Sequence, residues 1–226
     1  MLRPRRRLTK KEIKEDRLVT WTFKVTTFVQ KNMRLLIGAL VVILVVVFGS
    51  VGTVKYMNAR KARAMDALAE ARILRISDRP EEAIDQCQLV LDEFGGTESA
   101  GKALVMLGQL HAEAGAYEEA RVSFRTYLEK YSDDDATIHT SVEGIAASLE
   151  EEGKYEEAAA ERTAFVEKHP DSLFAPRALF EAARCAELAG QPDRAKRTLQ
   201  QLLDTYPEVQ LARKAKARIE MLPQTS

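Results

Sequence analysis

Four tetrapeptides punctuate the chain at almost constant intervals. Pro80-Glu81-Glu82-Ala83, Tyr117-Glu118-Glu119-Ala120, Tyr155-Glu156-Glu157-Ala158 and Pro192-Asp193-Arg194-Ala195 follow one another at spacings of 37, 38 and 37 residues. Two residues ahead of each block stand Asp78, Gly115, Gly153 and Gly190. Eleven residues after each block's alanine come Phe94, Tyr131, His169 and Tyr206, followed by Gly95, Ser132, Pro170 and Pro207. A period of this length marks a stack of like units, none of which buries its apolar side alone.

The landmarks suit a helical hairpin. A glycine just past a helix takes the left-handed backbone that caps its C-terminus. Pro or Tyr then opens a second helix, where the N–H that proline lacks would have no partner. Ala83, Ala120, Ala158 and Ala195 stand twelve residues after Ala71, Gly108, Ala146 and Ala183, and small side chains at both places let the two helix backbones approach. A proline after the second helix stops it from continuing.

These positions, and above all Leu104-Val105-Met106-Leu107-Gly108 with Gly115-Ala116-Tyr117-Glu118-Glu119-Ala120, resemble the tetratricopeptide repeat over roughly residues 64–222. The long period is similar to a subclass found in bacterial envelope proteins, as are His169-Pro170-Asp171-Ser172 and Tyr206-Pro207-Glu208-Val209. That subclass includes the outer-membrane assembly lipoprotein and the periplasmic division coordinator. The resemblance implies an all-α solenoid of four hairpins near 64–97, 101–134, 139–172 and 176–209, closed by a capping helix over 208–222. In that last segment Leu211, Ala215, Ile219 and Leu222 share a face, while Arg213, Lys214, Lys216, Arg218 and Glu220 lie elsewhere.

Ahead of the repeats, Leu35 to Val54 holds 20 residues without a charge, bounded by Arg34 and Lys55. As a helix it is roughly 30 Å long, the thickness of a bilayer's hydrocarbon core. Charge is divided around it: residues 1–34 carry 11 Lys/Arg against 3 Asp/Glu, and residues 55–226 carry 23 against 31. Basic flanks stay on the cytoplasmic side. The N-terminus is therefore expected in the cytoplasm and the repeat domain, residues 55–222, in the periplasm, anchored in the inner membrane. A cleaved signal peptide is the competing reading, with Ser50-Val51-Gly52 as its cut, although 34 residues before the run exceed an ordinary n-region. No Gly or Pro interrupts Lys55 to Ile76. The membrane helix is thus expected to run into the first repeat helix, holding the domain close to the bilayer.

Within the basic tail, Thr9-Lys10-Lys11-Glu12 has capping-box spacing. Leu18, Trp21, Val25, Phe28 and Val29 then recur at helical intervals, which predicts an amphipathic helix over 9–31 lying on the inner leaflet. The lipid bilayer is accordingly an expected partner. Nucleic acid is not, because the repeat domain is acidic and phosphates need a basic face.

Little in the sequence suggests chemistry. Cys87 and Cys185 belong to the first and fourth repeats, too far apart to pair, and fall at inward-facing positions. His111, His139 and His169 lack metal-ligand spacing, and His111 and His169 replace aromatic packing residues. Asp133-Asp134-Asp135 lacks the alternation and glycine of a calcium loop and is expected to be a solvated loop with a helix cap. No nucleophile–base pair, phosphate loop or HExxH stretch is present, so neither catalysis, cofactor nor metal is expected.

Carrying the groove-facing positions of such repeats onto the first helices gives the candidate protein-binding residues. These are Leu68, Arg72 and Arg75; Val105, Gln109 and Glu113; Glu143 and Glu150; and Arg177, Phe180, Arg184 and Glu187. Met65, Ile76, Lys102 and Thr140 occupy the same face. The Lys/Asn clamp for a terminal carboxylate is missing, whereas Phe180 between two arginines suits a helix or an extended segment. A cytoplasmic tail, one anchor and external repeats together are similar in plan to the ancillary subunit of the SecYEG translocon. That plan implies a membrane-anchored scaffold or adaptor of the cell envelope, assisting secretion or chaperone hand-off. Two alternatives stay open: a self-associating component of an envelope assembly or division machine, and a processed, soluble periplasmic adaptor.

Overall fold

The computed structural model of the chain describes residues 10–131 and 134–223, with side chains from residue 20 onward. Thr9 and the basic residues before it, the side chains of Lys14, Arg17 and Leu18, and all of Ser132 and Asp133 lie outside the described residues. All regular structure among the described residues is helical. The chain divides into two compact units, residues 1–58 and 59–226.

Helix α1 (Lys10–Ile76) crosses that division, and within the first unit it leaves helical dihedrals at Asn32, with φ −112° and ψ 17°. The Asn32 side-chain amide donates to the carbonyl of Phe28 at 3.0 Å, a local bond that competes with the regular ladder. This departure separates the segment bearing Trp21, Val25 and Phe28 from the uncharged run. The side chains of the run are exposed, Val45 and Phe48 among them. The helix is long and apolar enough to cross a membrane.

In the second unit the end of α1 is followed by α2 (Pro80–Phe94), α3 (Glu98–Glu113), α4 (Tyr117–Lys130) and α5 (Asp135–Glu151). Beyond these come α6 (Tyr155–Lys168), α7 (Ala175–Leu188), α8 (Pro192–Thr205) and α9 (Gln210–Met221). The four recurring blocks open α2, α4, α6 and α8. Before them, φ is 57° at Asp78, 76° at Gly115, 74° at Gly153 and 72° at Gly190. All four hairpins therefore turn through the same left-handed residue, and the first does so without glycine. Asp134 caps α5, accepting the Thr137 N–H at 2.9 Å.

The paired small residues are buried, and bulk from a neighbouring helix fills in behind them. Phe124 on α4, almost fully buried, lies against both Gly108 on α3 and Gly144 on α5. Burying such a ring stabilises by roughly 1.5–3 kcal/mol, and only residues without a Cβ admit it here. Successive hairpins are tied at their ends as well. The Tyr131 hydroxyl accepts the Gly96 N–H at 2.9 Å, and the Tyr206 hydroxyl donates to the Pro170 carbonyl at 2.6 Å. At the C-terminal end, Leu211, Ile219 and Leu222 pack on the core, while Arg213, Lys214 and Lys216 are exposed. The solenoid is thus closed there by a helix with a polar outer side.

Candidate protein-binding groove

On the side formed by the first helices, α3 touches α5, and α7 touches the closing helix α9. That side falls into two parts of different character. Across α1, α3 and α5 it opens into a cleft of about 660 Å³, lined by Arg72, Arg75, Ile76, Lys102, Val105, Met106, Gln109, Thr137 and Thr140. Its floor is apolar and its walls carry three cations and two hydroxyls, with no carboxylate among the lining residues. Arg75 is held in place by the Gln109 side-chain oxygen at 2.8 Å and by Glu113 at 2.5 Å. Lys102 pairs with Glu98 at 2.5 Å. Arg72 is exposed and makes no ion pair among the described residues.

Across α5, α6 and α7 five charged side chains, Glu143, Glu150, Arg162, Glu181 and Arg184, satisfy one another. Arg162 reaches through from the second helix of its hairpin and is only 3% exposed at its side chain. It donates to Glu143 at 2.9–3.2 Å and pairs with Glu150 at 2.7 Å. Glu150 is shared with Arg184 at 2.6 Å, and Arg184 also holds Glu181 at 2.7 Å. Burial opposes the charge on Arg162, but its hydrogen bonds to Glu143 and Glu150 prevail and raise its pKa. Burial would likewise raise Glu150, yet the guanidinium groups of Arg184 and Arg162 hold its carboxyl below the usual range. Charged pairs removed from water in this way are costly to break, because each partner would be left unsatisfied.

Two further groups border this network. The Cys185 thiol, which accepts a hydrogen bond from Arg162 at 3.2 Å, is pushed up to about 11 by burial. Cys87 is likewise buried and pushed up to about 11, and both cysteines are free. His139 stacks on Phe174 at 4.3 Å and meets the edge of Phe165 at 5.6 Å. Its Nε2 has no hydrogen-bond partner among the described residues, with the nearest Glu143 oxygen 3.9 Å away. Burial lowers its pKa. His169 stacks on Phe165 at 5.3 Å, in the packing place expected of it.

The sequence-derived groove residues therefore fall into separate places. Arg72, Arg75, Val105 and Gln109 meet around the cleft, with Glu113 beside Arg75. Glu143, Glu150 and Arg184 meet in the ion network, and Glu187 is engaged by Arg218 on α9 at 2.6 Å. Leu68 is buried in the core, and Phe180 is partly buried against it. Arg177 is exposed. Two members of the network lie outside the groove positions, Glu181 on the same helix as Arg184 and Arg162 on the second helix of its hairpin; Arg162 is the central one. Its signal was present in the register of the repeats, since four residues after the recurring alanine stand Cys87, Phe124, Arg162 and Leu199. A lone cation in a core column calls for a buried anion. Three residues before the facing small residue stand Leu68, Val105, Glu143 and Phe180, which supplies it.

A family model described as a tetratricopeptide repeat-like domain matches residues 26–162, and one described as a tetratricopeptide repeat matches residues 149–219. Among solved structures, the chain is similar to a tetratricopeptide repeat protein from Parabacteroides merdae ATCC 43184. That match has a TM-score of 0.55 at 16% identity and covers 70% of this chain and 59% of the other. The chain thus spans less than two thirds of that protein's length. It is also similar to the MamA protein, with a TM-score of 0.51 at 13% identity over 72% of this chain and 79% of the other. At such identities the likeness concerns the fold. No curated protein matches in sequence.

Proposed function

This chain belongs to the tetratricopeptide repeat family, and we propose that it is a membrane-anchored scaffold that holds other proteins in the N-terminal half of its groove. Repeats of this kind are protein-interaction modules, and the cleft across α1, α3 and α5 is the observation that supports placing the partner there. It offers an apolar floor at Val105 and Met106 with cations around it. In the other half, the charges of Glu143, Glu150 and Arg184 are already spent on Arg162 and on one another. A partner segment that combines apolar side chains with carboxylates fits the cleft by area and by sign. Arg72→Glu together with Lys102→Glu, both at exposed positions, is expected to abolish capture of the partner by the full chain while leaving its helicity intact. Unchanged capture would mean that the cleft is idle.

The anchor reading rests on the uncharged run and the basic flank. It places the repeats outside the cytoplasm, at a cell envelope where secreted chains or assembly factors pass, and a translocon-associated role is one form of it. The chain is expected to resist alkaline extraction from membranes. A mature N-terminus near Thr53 would replace the anchored scaffold with a soluble adaptor.

A further inference from the structure

The two ends of the solenoid differ. A repeat stack needs a polar outer surface on each terminal helix, and α9 supplies one at the C-terminal end. At the other end the outward face of α1 carries an apolar stripe between charged flanks. Met65 and Ile73 are each 63% exposed and Ile76 84%, with Ala62 exposed ahead of them and Ala69 between them. These residues follow one another at three- and four-residue steps and form one stripe, opposite the side on which Ala64, Leu68 and Ala71 enter the core. Ile76 also borders the cleft, so the stripe and the groove are adjacent but face different ways.

The charges beside the stripe indicate what covers it. At 3.6 residues per turn, Lys61 lies about 80° to one side of its midline and Asp66 about 60° to the other. Neither forms a close ion pair among the described residues; the Glu98 carboxyl is lowered chiefly by its hydrogen bond with Lys102, and Lys61 acts on it only from a distance. Arg72 flanks the same side as Lys61. If two copies met in antiparallel fashion about a two-fold axis, each basic flank would lie along its own counterpart. In a parallel pair each basic flank faces the acidic flank of the second copy, and Lys61 comes opposite Asp66 five residues further along. That is the spacing at which flanking charges join parallel helices and set their orientation. We propose that this face is a homodimer interface, in which α1 packs in parallel against α1 of a second copy through Ala62, Met65, Ala69 and Ile73.

Disulfide trapping tests it. A disulfide requires Cα atoms within about 7 Å, which a parallel two-fold pair provides at position 62 and again at position 69. An antiparallel pair provides it at one of them at most. Purified full chain in detergent, carrying Ala62→Cys or Ala69→Cys, is oxidised with copper phenanthroline and run on a non-reducing gel. Arg63→Cys, exposed on the same helix but off the stripe, is the control. Both stripe variants are expected to give a band of twice the chain mass, and Arg63→Cys and the unmodified chain are not. Adding Ile73→Asp to Ala69→Cys should remove the band without changing helicity, because Ile73 makes no core contact. Trapping at only one stripe position overturns the parallel pair. No trapping above the Arg63→Cys level overturns the homodimer and leaves the stripe to a different protein or to lipid.

Discussion

Arg162 and Glu143 meet at 2.9 Å across the α5–α6 hairpin, a cation and an anion at positions where the other three repeats carry apolar or thiol side chains. The pair replaces a packing contact with a charged one and joins the third repeat to the fourth through Glu150 and Arg184. Arg162→Leu should destabilise the domain by about 3–5 kcal/mol, because Glu143 loses its partner and Glu150 keeps only Arg184. The double change Arg162→Leu with Glu143→Val restores the apolar columns of the other repeats and should recover most of that loss. Urea unfolding of both variants measures the difference.

Gly144 presents the opposite expectation to its helix propensity. Alanine in a helix interior is ordinarily better than glycine by about 1 kcal/mol. Here a Cβ at position 144 would come within 2.4 Å of the Phe124 ring. Gly144→Ala is therefore expected to destabilise by about 1–3 kcal/mol through overpacking. Phe124→Leu in the same chain should reduce that penalty, and a double-mutant cycle on thermal unfolding reads the coupling.

Asp78 occupies the left-handed turn position that glycine fills in the other three repeats, at φ 57°. Asp tolerates this region better than most residues but still with strain. Asp78→Gly should stabilise the domain by about 0.5–1 kcal/mol, seen as a higher urea midpoint with unchanged slope.

His139 gives the domain a pH dependence of definite sign. Burial lowers its pKa from 6.5; Glu143 opposes the shift, Arg177 adds to it, Asp135 opposes it and Arg162 adds to it. The unfolded chain takes up this proton as pH falls through 6.5, and the folded chain only at lower pH. Stability from this group is therefore full above pH 6.5 and declines below it. The decline due to Glu150, whose carboxyl is lowered from 4.5, begins only below that value. His139→Phe, placed between Phe165 and Phe174, should flatten the fall in the urea midpoint between about pH 7 and about pH 5.

The repeat was legible in the sequence because each hairpin repeats its punctuation. Pro80, Tyr117, Tyr155 and Pro192 open helices, and the residues two before them take positive φ. The end cap was equally legible, since α9 separates Leu211 and Ile219 from its lysines. Much of the groove was less so. Carrying over first-helix positions treats every side chain there as facing a partner, but Phe180 leans on the core and Leu68 is buried in it. Glu143 and Glu150 are claimed by an arginine from the second helix. Such claims depend on side chains that cross between helices, and a list of groove positions taken one helix at a time does not contain them. Comparing the repeats column by column does, because it shows Arg162 and Glu143 as two exceptions that complement each other.

Partners are expected in the apolar-floored cleft beside the exposed Arg72, rather than across the ion network of Glu143, Glu150 and Arg184. A photoreactive residue at Thr140, exposed on the wall of the cleft, tests this in the full chain in living cells. Val122, exposed on α4, serves as the comparison site. Adducts to other proteins are predicted from position 140 and not from position 122, and Arg72→Glu should remove them. Equal labelling from both positions, or adducts that persist in the Arg72→Glu chain, would contradict the claim.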